Sequence, residues 1–486
     1  MKVVFAASEI APFAKTGGLA DVTGALPLEI RNLGHEVYAF LPRYRSIDIQ
    51  KEGLKIVYER VPVPMGSNIE HARLFEKKPS PGLVYYFIDA PELFGREGLY
   101  GTLQGDYGDN DRRFTFFQRA VLEALKMLYL KPDIIHCHDW QTGLIPVYLK
   151  TLYAEEYLFK KTRAVFTVHN LAYQGNFPPD SLPVTGLSWN EYKFEKLEFY
   201  GKCSFIKGGI VYSDAVTTVS AGYAEEVLKE ETGCGMHGAL RQKGPHFQGI
   251  LNGIDHRLWN PETDAALIER YSAGNLGGKK ANKRSLRKEN GLSAGEDLPL
   301  FGIVSRLVDQ KGLDILIAIF DELMRLDLEI VILGLGDEKY HWRLRELRKK
   351  YRDRCGVHIV FDESMARRMY AGCDVMMIPS NYEPCGLTQM IALRYGTVPL
   401  VRAVGGLRDT VEEFHAAKGT GNGFLFEAYS GDAMLAAIHR ALNTYREPTL
   451  WQKLVKNTFA SDFSWQASAK KYVALYDKLT REYQKV

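Results

Sequence analysis

Short apolar runs alternate along this chain with longer segments in which hydrophobic side chains recur every three or four residues. The short runs are continuous rather than alternating, which predicts strands buried on both faces, as in parallel sheets. In the first half they fall at 2–7, 35–41, 83–88, 133–137, 163–168 and 215–219. In the second half they fall at 248–251, 300–304, 329–333, 358–360, 375–378, 398–401 and 423–426. Helical periodicity fills the spaces, for example over 112–130, where Asp109-Asn110-Asp111 marks a start and Lys131-Pro132 a stop. The order predicts an α/β protein of two doubly wound, Rossmann-like domains, each a parallel sheet with helices on both faces. Lys243-Gly244-Pro245 is the expected border, giving domains of 1–245 and 246–463. Helical patterning resumes after Ser464-Trp465, and the segment 464–486 is expected to fold back onto the first domain. The Ser272–Lys280 stretch, rich in Gly and Lys, reads as an exposed, solvated loop.

Composition narrows the function classes. A chain of 486 residues exceeds what one core holds, which agrees with two domains. A net charge of +3 makes no case for nucleic acid, and no apolar run approaches the roughly 20 residues needed to span a bilayer. The first strand starts at Lys2, so no targeting segment is expected. Cysteines at 137, 203, 234, 355, 373 and 385 form no CxxC pair, and a reducing cytoplasm is the expected compartment. Composition assigns no oligomeric state.

The candidate chemistry lies where strands hand over to helices, since ligands of open α/β sheets sit outside the carboxyl ends of the strands. After the first strand comes Lys15-Thr16-Gly17-Gly18-Leu19-Ala20-Asp21-Val22, whose glycines let a ligand approach the backbone at a helix start. Taken alone, the same pair reads equally as a tight connection. After the strand at 300–304, Arg306 and Lys311 flank a helix start and offer a planar fork and a point charge to one diphosphate; solvated surface charges are the alternative. His136-Cys137-His138-Asp139-Trp140 suggests either a metal site or sugar recognition. With no further ligand set to complete a tetrahedral site, sugar recognition by Asp139 and stacking by Trp140 are preferred. His169 ends another strand. The densest segment is Ser380-Asn381-Tyr382-Glu383-Pro384-Cys385-Gly386-Leu387-Thr388-Gln389, where Glu383 can meet a sugar hydroxyl or developing positive charge. Gly386, Leu387 and Thr388 open a helix there, and Gly405-Gly406-Leu407 adds backbone donors after the next strand.

Together with Leu251-Asn252-Gly253-Ile254-Asp255 and Val168-His169-Asn170-Leu171-Ala172-Tyr173-Gln174-Gly175, these motifs and their order resemble the bacterial glycogen synthases and plant starch synthases over nearly the whole chain. The resemblance implies the two-domain GT-B glycosyltransferase architecture, with its domains facing a deep cleft. It implies retaining transfer of glucose from ADP-glucose to the non-reducing end of glycogen or another α-1,4-glucan. By position it implies a diphosphate cradle of Lys15, Gly18, Arg306 and Lys311, with Asp21, Cys385, Gly386, Leu387 and Thr388 beside the nucleotide sugar. Glu383 and His169 would surround the transferred glucose, and Asn252 would lie near the ribose. Phe361 would stack on adenine where relatives often have tyrosine, and Tyr100, Asp139 and Trp140 would shape the glucan side. Only Glu383 stands as a candidate carboxylate, so same-face substitution with the departing phosphate helping to deprotonate the acceptor is favoured over a double displacement. No Asp-x-Asp metal motif stands among the donor contacts, and no cofactor or metal is expected. A sucrose or trehalose synthase would share the second-domain pattern but not Lys15-Thr16-Gly17-Gly18 with His138-Asp139-Trp140. A phosphorylase would need a pyridoxal phosphate lysine motif, for which no clear match stands.

Overall fold

The computed structural model describes residues 1–102, 104–295 and 297–483 and divides into two compact units. The first comprises Met1–Asn252 together with the segment from Trp465 onward, and the second Gly253–Ser464.

The first unit is built on a nine-stranded sheet. Its strands are β1 (Lys2–Ala6), β2 (Glu36–Pro42), β3 (Lys55–Met65), β4 (Asn68–Ser80), β5 (Leu83–Asp89), β6 (Ile134–His138), β7 (Arg163–Val168), β8 (Ala215–Thr218) and β9 (Phe247–Gly249). The order across the sheet is β9-β8-β7-β6-β1-β2-β5-β4-β3. β1 lies between β2 and β6, both parallel to it, with Val3 opposite Val37 on one side and Ile134 on the other. Val3, Val4, Phe5 and Ala6 have no exposed surface, as the continuous apolar run required. The chain leaves β1 toward β2 in one direction and the sheet grows through β6 in the other, so the strand order reverses there. Such a reversal opens a crevice beyond the carboxyl ends of the strands.

Two strands were not expected. β3 and β4 form an antiparallel hairpin through Gly66 (φ +60), and β4 continues antiparallel to β5. β3 carries Pro62 and Pro64, which an edge strand tolerates because one row of its N–H groups faces no partner. β9 corrects the assignment of 248–251 to the second half: Phe247–Gly249 pairs in parallel with Val216–Thr218, so the division falls after Asn252 rather than at 245. The helix Trp465–Tyr483 packs in the first unit, where the Tyr476 hydroxyl lies 2.7 Å from His136 Nδ1.

The second unit holds an all-parallel sheet of β10 (Leu300–Val304), β11 (Glu329–Leu333), β12 (Cys355–His358), β13 (Val375–Ile378), β14 (Val398–Arg402) and β15 (Phe424–Phe426). Its order is β12-β11-β10-β13-β14-β15, which reverses between β10 and β13. β12 lies earlier than the expected 358–360. Cys355, Gly356 and Val357 are buried against β11, while Val360 is exposed. Leu316, Phe320, Met377, Leu400, Met434 and Ile438 belong to the core that seats the surrounding helices.

Candidate active site

In the first unit, the loop after β1 folds around a carboxylate that sequence reasoning passed over. Glu9, 3% exposed, accepts hydrogen bonds from the Thr16 amide (2.5 Å), the Thr16 hydroxyl (2.7 Å), the Gly17 amide (3.3 Å) and the Tyr100 hydroxyl (2.7 Å). Its sequence signal was an acid directly after a buried strand and ahead of a Gly-Gly turn. Tyr100 also contacts Ser8 Oγ at 2.7 Å, and burial reinforced by Tyr44 and Glu9 pushes its phenol well above the ordinary range. Tyr100 therefore commits its hydroxyl to bracing Glu9. Lys15 pairs with Asp21 at 2.6 Å, and both side chains keep substantial exposure. The helix Gly18–Asn32 starts here with Gly17 extended, and a Cβ at Gly17 or Gly18 would meet nothing within 4 Å. Neither backbone conformation nor internal packing demands these glycines, so the bare backbone faces space that a ligand can enter.

The ends of β6 and β7 bring three histidines and an acid together. Both ring nitrogens of His136 are engaged, by Tyr476 and by Thr167 Oγ1 at 2.6 Å, so this ring sits in a packed polar network. His138 Nδ1 lies 3.0 Å from His169 Nε2. Asp139 holds a left-handed backbone conformation (φ 56) and its carboxylate accepts the His169 amide at 2.7 Å. Strained backbone at a buried acid is a mark of functional sites. Trp140 departs from expectation. It is 9% exposed, edge-packed against Phe114 and Phe177, with Gly175 so close that a Cβ there would meet the indole at 2.6 Å. Its ring is a packing element rather than an open stacking platform. Asn252, also in this unit, is buried, and its Oδ1 has no hydrogen-bond partner among the described residues.

In the second unit, the loops after β10 and β13 are fastened to each other. Gly312 (φ +70) packs so tightly that a Cβ would meet the Pro379 carbonyl oxygen at 2.0 Å. The Asn381 amide donates to the Gln310 carbonyl (2.8 Å), and the Gln310 side chain donates to the Tyr382 carbonyl (3.0 Å). These contacts set the Lys311 ammonium 2.5 Å from Glu383 Oε2, to which the Ser380 hydroxyl also donates at 2.9 Å. The Gly406 amide donates to the Glu383 carbonyl at 3.1 Å, and the Gln389 side chain donates to the Cys385 and Gly386 carbonyls at 2.9 Å. Cys385 is buried, Gly386 takes φ +72, and Leu387 and Thr388 are partly exposed at the start of the helix Thr388–Arg394. Arg306 is exposed and tied to this cluster through Gln310 at 3.4 Å. Phe361, 80% exposed, stands apart on the loop after β12. A buried carboxylate beside a lysine, with an exposed arginine nearby, can bind an anionic leaving group and steady positive charge at a sugar carbon.

Residues 2–242 match the starch synthase catalytic domain family, and residues 284–458 match glycosyl transferases group 1. The chain is 46% identical over 478 residues to a glycogen synthase of Koribacter versatilis, covering 98% of both proteins. The chain belongs to the glycogen and starch synthase family. A second family member, the glycogen synthase of Syntrophotalea carbinolica, is also 46% identical over 98% of this chain. The catalytic domain of starch synthase IV from Arabidopsis thaliana, solved with ADP and acarbose, shares the fold with a TM-score of 0.90, 36% identity and 99% coverage of each chain. A sucrose-phosphate synthase from Thermosynechococcus elongatus, at 18% identity and a TM-score of 0.60, shares the fold alone. This synthase-family enzyme is thus a two-domain glucosyltransferase. Among the described residues, no helix is long and apolar enough to cross a membrane.

Asp139 and the partly exposed His169 of this enzyme's first unit also shape its stability. Burial, with Glu9 adding repulsion, pushes the Asp139 carboxyl up to about 7. Between its ordinary value and about 7, the folded protein keeps a proton that the unfolded chain has released, so Asp139 costs stability as pH rises through that window. Burial pulls His169 down to about 3, so below its ordinary value the unfolded chain alone takes up a proton, and stability falls as pH drops toward 3. Asp139→Asn is therefore expected to gain Tm relative to the parent protein at pH 8 compared with pH 5. An unchanged Tm difference between the two pH values would contradict the burial of an ionised Asp139.

Proposed function

We propose that the enzyme transfers glucose from ADP-glucose to the non-reducing end of glycogen or a similar α-1,4-glucan, with retention at the anomeric carbon and release of ADP. The observation that carries this reading is the Lys311–Glu383 pair at the carboxyl edge of the second sheet, in a chain alike over its length to glycogen synthases. Lys311 and Arg306 are cations suited to the diphosphate as it gains charge, and each such charge-assisted bond contributes about 1.5–3 kcal/mol. Glu383 is assigned to positioning the sugar and stabilising positive charge. The departing phosphate, not a second protein carboxylate, helps to remove the acceptor proton. Cationic side chains perform the neutralisation that a divalent metal performs elsewhere, so turnover is expected to be metal-independent. The cytoplasm is the proposed compartment, consistent with six unpaired cysteines.

The test measures incorporation of labelled glucose into glycogen from ADP-glucose and UDP-glucose in parallel, with Glu383→Ala as control. Incorporation mainly from ADP-glucose, lost in the variant, is expected. No incorporation from either donor by folded protein would overturn the reading. The same assay with a chelator checks metal independence: unchanged rates are expected, and abolition reversed by a divalent ion would reject it.

A further inference from the structure

We propose that His138 is a positioning residue for transfer: it donates its Nδ1 proton to His169 Nε2 and so holds His169 in the Nδ1–H tautomer, a hydrogen-bond donor toward the transferred glucosyl group. The final clause rests on the proposed function; the tautomer does not.

His138 closes β6 and is fully buried, with its ring stacked on Phe5 (5.7 Å between centroids, 14° between planes) and 4.2 Å from the His136 ring. His169, at the start of the loop after β7, is partly exposed. The 3.0 Å between His138 Nδ1 and His169 Nε2 is a hydrogen-bond distance, so one ring donates and the other accepts. Burial favours the neutral form of both rings. Each ring then carries one proton, and two arrangements remain.

His138 Nε2 separates them, because it is buried and has no hydrogen-bond partner among the described residues. If His138 accepted from His169, its own proton would sit on Nε2 as an orphaned N–H in the interior. If His138 donates, Nε2 is only a bare lone pair. Orphaned N–H groups are the rarer of the two defects in native interiors. His138 is thereby assigned as the donor, which leaves the His169 proton on Nδ1. Asp139 adds to the arrangement by holding the His169 amide, so the backbone beneath the ring is fixed from the same strand end. Free neutral imidazole side chains favour the Nε2–H form in water, so the assigned tautomer reverses an intrinsic preference and its loss is detectable.

The experiment is a two-bond proton–nitrogen correlation spectrum of the full chain labelled with 15N-histidine, assigned through His138→Phe and His169→Gln. Protonated Nδ1 on His169 is expected in the parent protein, and protonated Nε2 would overturn the proposal. In His138→Phe, His169 is expected to shift toward Nε2–H, with kcat for glucosyl transfer lowered roughly tenfold and KM for the donor changed less, the size expected for one hydrogen bond. His138→Asn places an amide N–H where Nδ1 stood and is expected to retain the His169 tautomer and recover most of kcat. An unchanged His169 spectrum in His138→Phe, or equal loss of kcat in the Phe and Asn variants, would reject the positioning role. The spectrum is read without turnover, so failure of the glucosyl transfer reading leaves it decisive.

Discussion

Lys311→Ala is expected to slow glucosyl transfer by roughly ten- to a hundredfold and to destabilise the second unit by about 3 kcal/mol. Two effects coincide. The alanine removes a cation assigned to the leaving diphosphate, and it strands Glu383, whose side chain is only 10% exposed, with the Ser380 hydroxyl still donating to it. Breaking a buried ion pair from one side costs about 3–5 kcal/mol because the surviving charge loses its compensation. The residual exposure of 17% for Lys311 places the pair at the lower end of that range. The two effects separate in the double variant Lys311→Ala/Glu383→Gln. A neutral amide needs no counter-charge, so the double variant should regain much of the lost unfolding free energy while transfer stays low. Denaturant unfolding and kcat/KM for ADP-glucose, measured on the parent protein and both variants, check both halves. Recovery of activity together with stability would show that Lys311 serves the fold alone.

The ends of the strands were legible because parallel sheets require apolar runs with abrupt polar exits, as at Ala6, Val168, Val304 and Ile378. The residues that chemistry needs follow those exits directly. What stayed illegible obeys a different rule. The hairpin Lys55–Ser80 is an edge of the sheet, half solvated and rich in charge, so it carries no continuous apolar run. Gln248 is exposed in a strand of three residues, none of them fully buried, and nothing in its sequence says which sheet it joins. Trp140 shows the limit within the site. An indole after a strand suits a sugar or a core equally, and Gly175, distant in sequence, decides for the core by leaving room for the ring. Glu9 was missed for a related reason: an acid beside a strand reads as solvated until the four donors around it are seen together.

Those four donors make Glu9→Ala the second large effect, with an expected loss of a hundredfold or more in kcat/KM. Every group pointing at the Glu9 carboxylate donates a hydrogen bond: the amides of Thr16 and Gly17 to Oε2, and the hydroxyls of Thr16 and Tyr100 to Oε1. A carboxylate is an acceptor only and satisfies all four, whereas alanine leaves the two amides facing a void and frees the loop that presents Lys15 and Gly18. Bonds to a charged acceptor contribute about 1.5–3 kcal/mol each, so losing two already accounts for more than a hundredfold if that energy held the loop in its working shape. Glu9→Gln divides the effect. Its carbonyl oxygen can keep the two amides, and its NH2 meets two hydroxyls that can rotate to accept, so geometry survives while charge is lost. An intermediate loss of roughly tenfold is expected. Removing the Glu9 charge also removes repulsion that helps raise Asp139, so in Glu9→Gln the loss of stability with rising pH should end at lower pH and be smaller in total. Wild-type kcat/KM in Glu9→Ala would show that the loop holds its shape without the carboxylate. A loss in Glu9→Gln as deep as in Glu9→Ala would mean that charge at this position, rather than the placement of Lys15 and Gly18, is what the reaction requires.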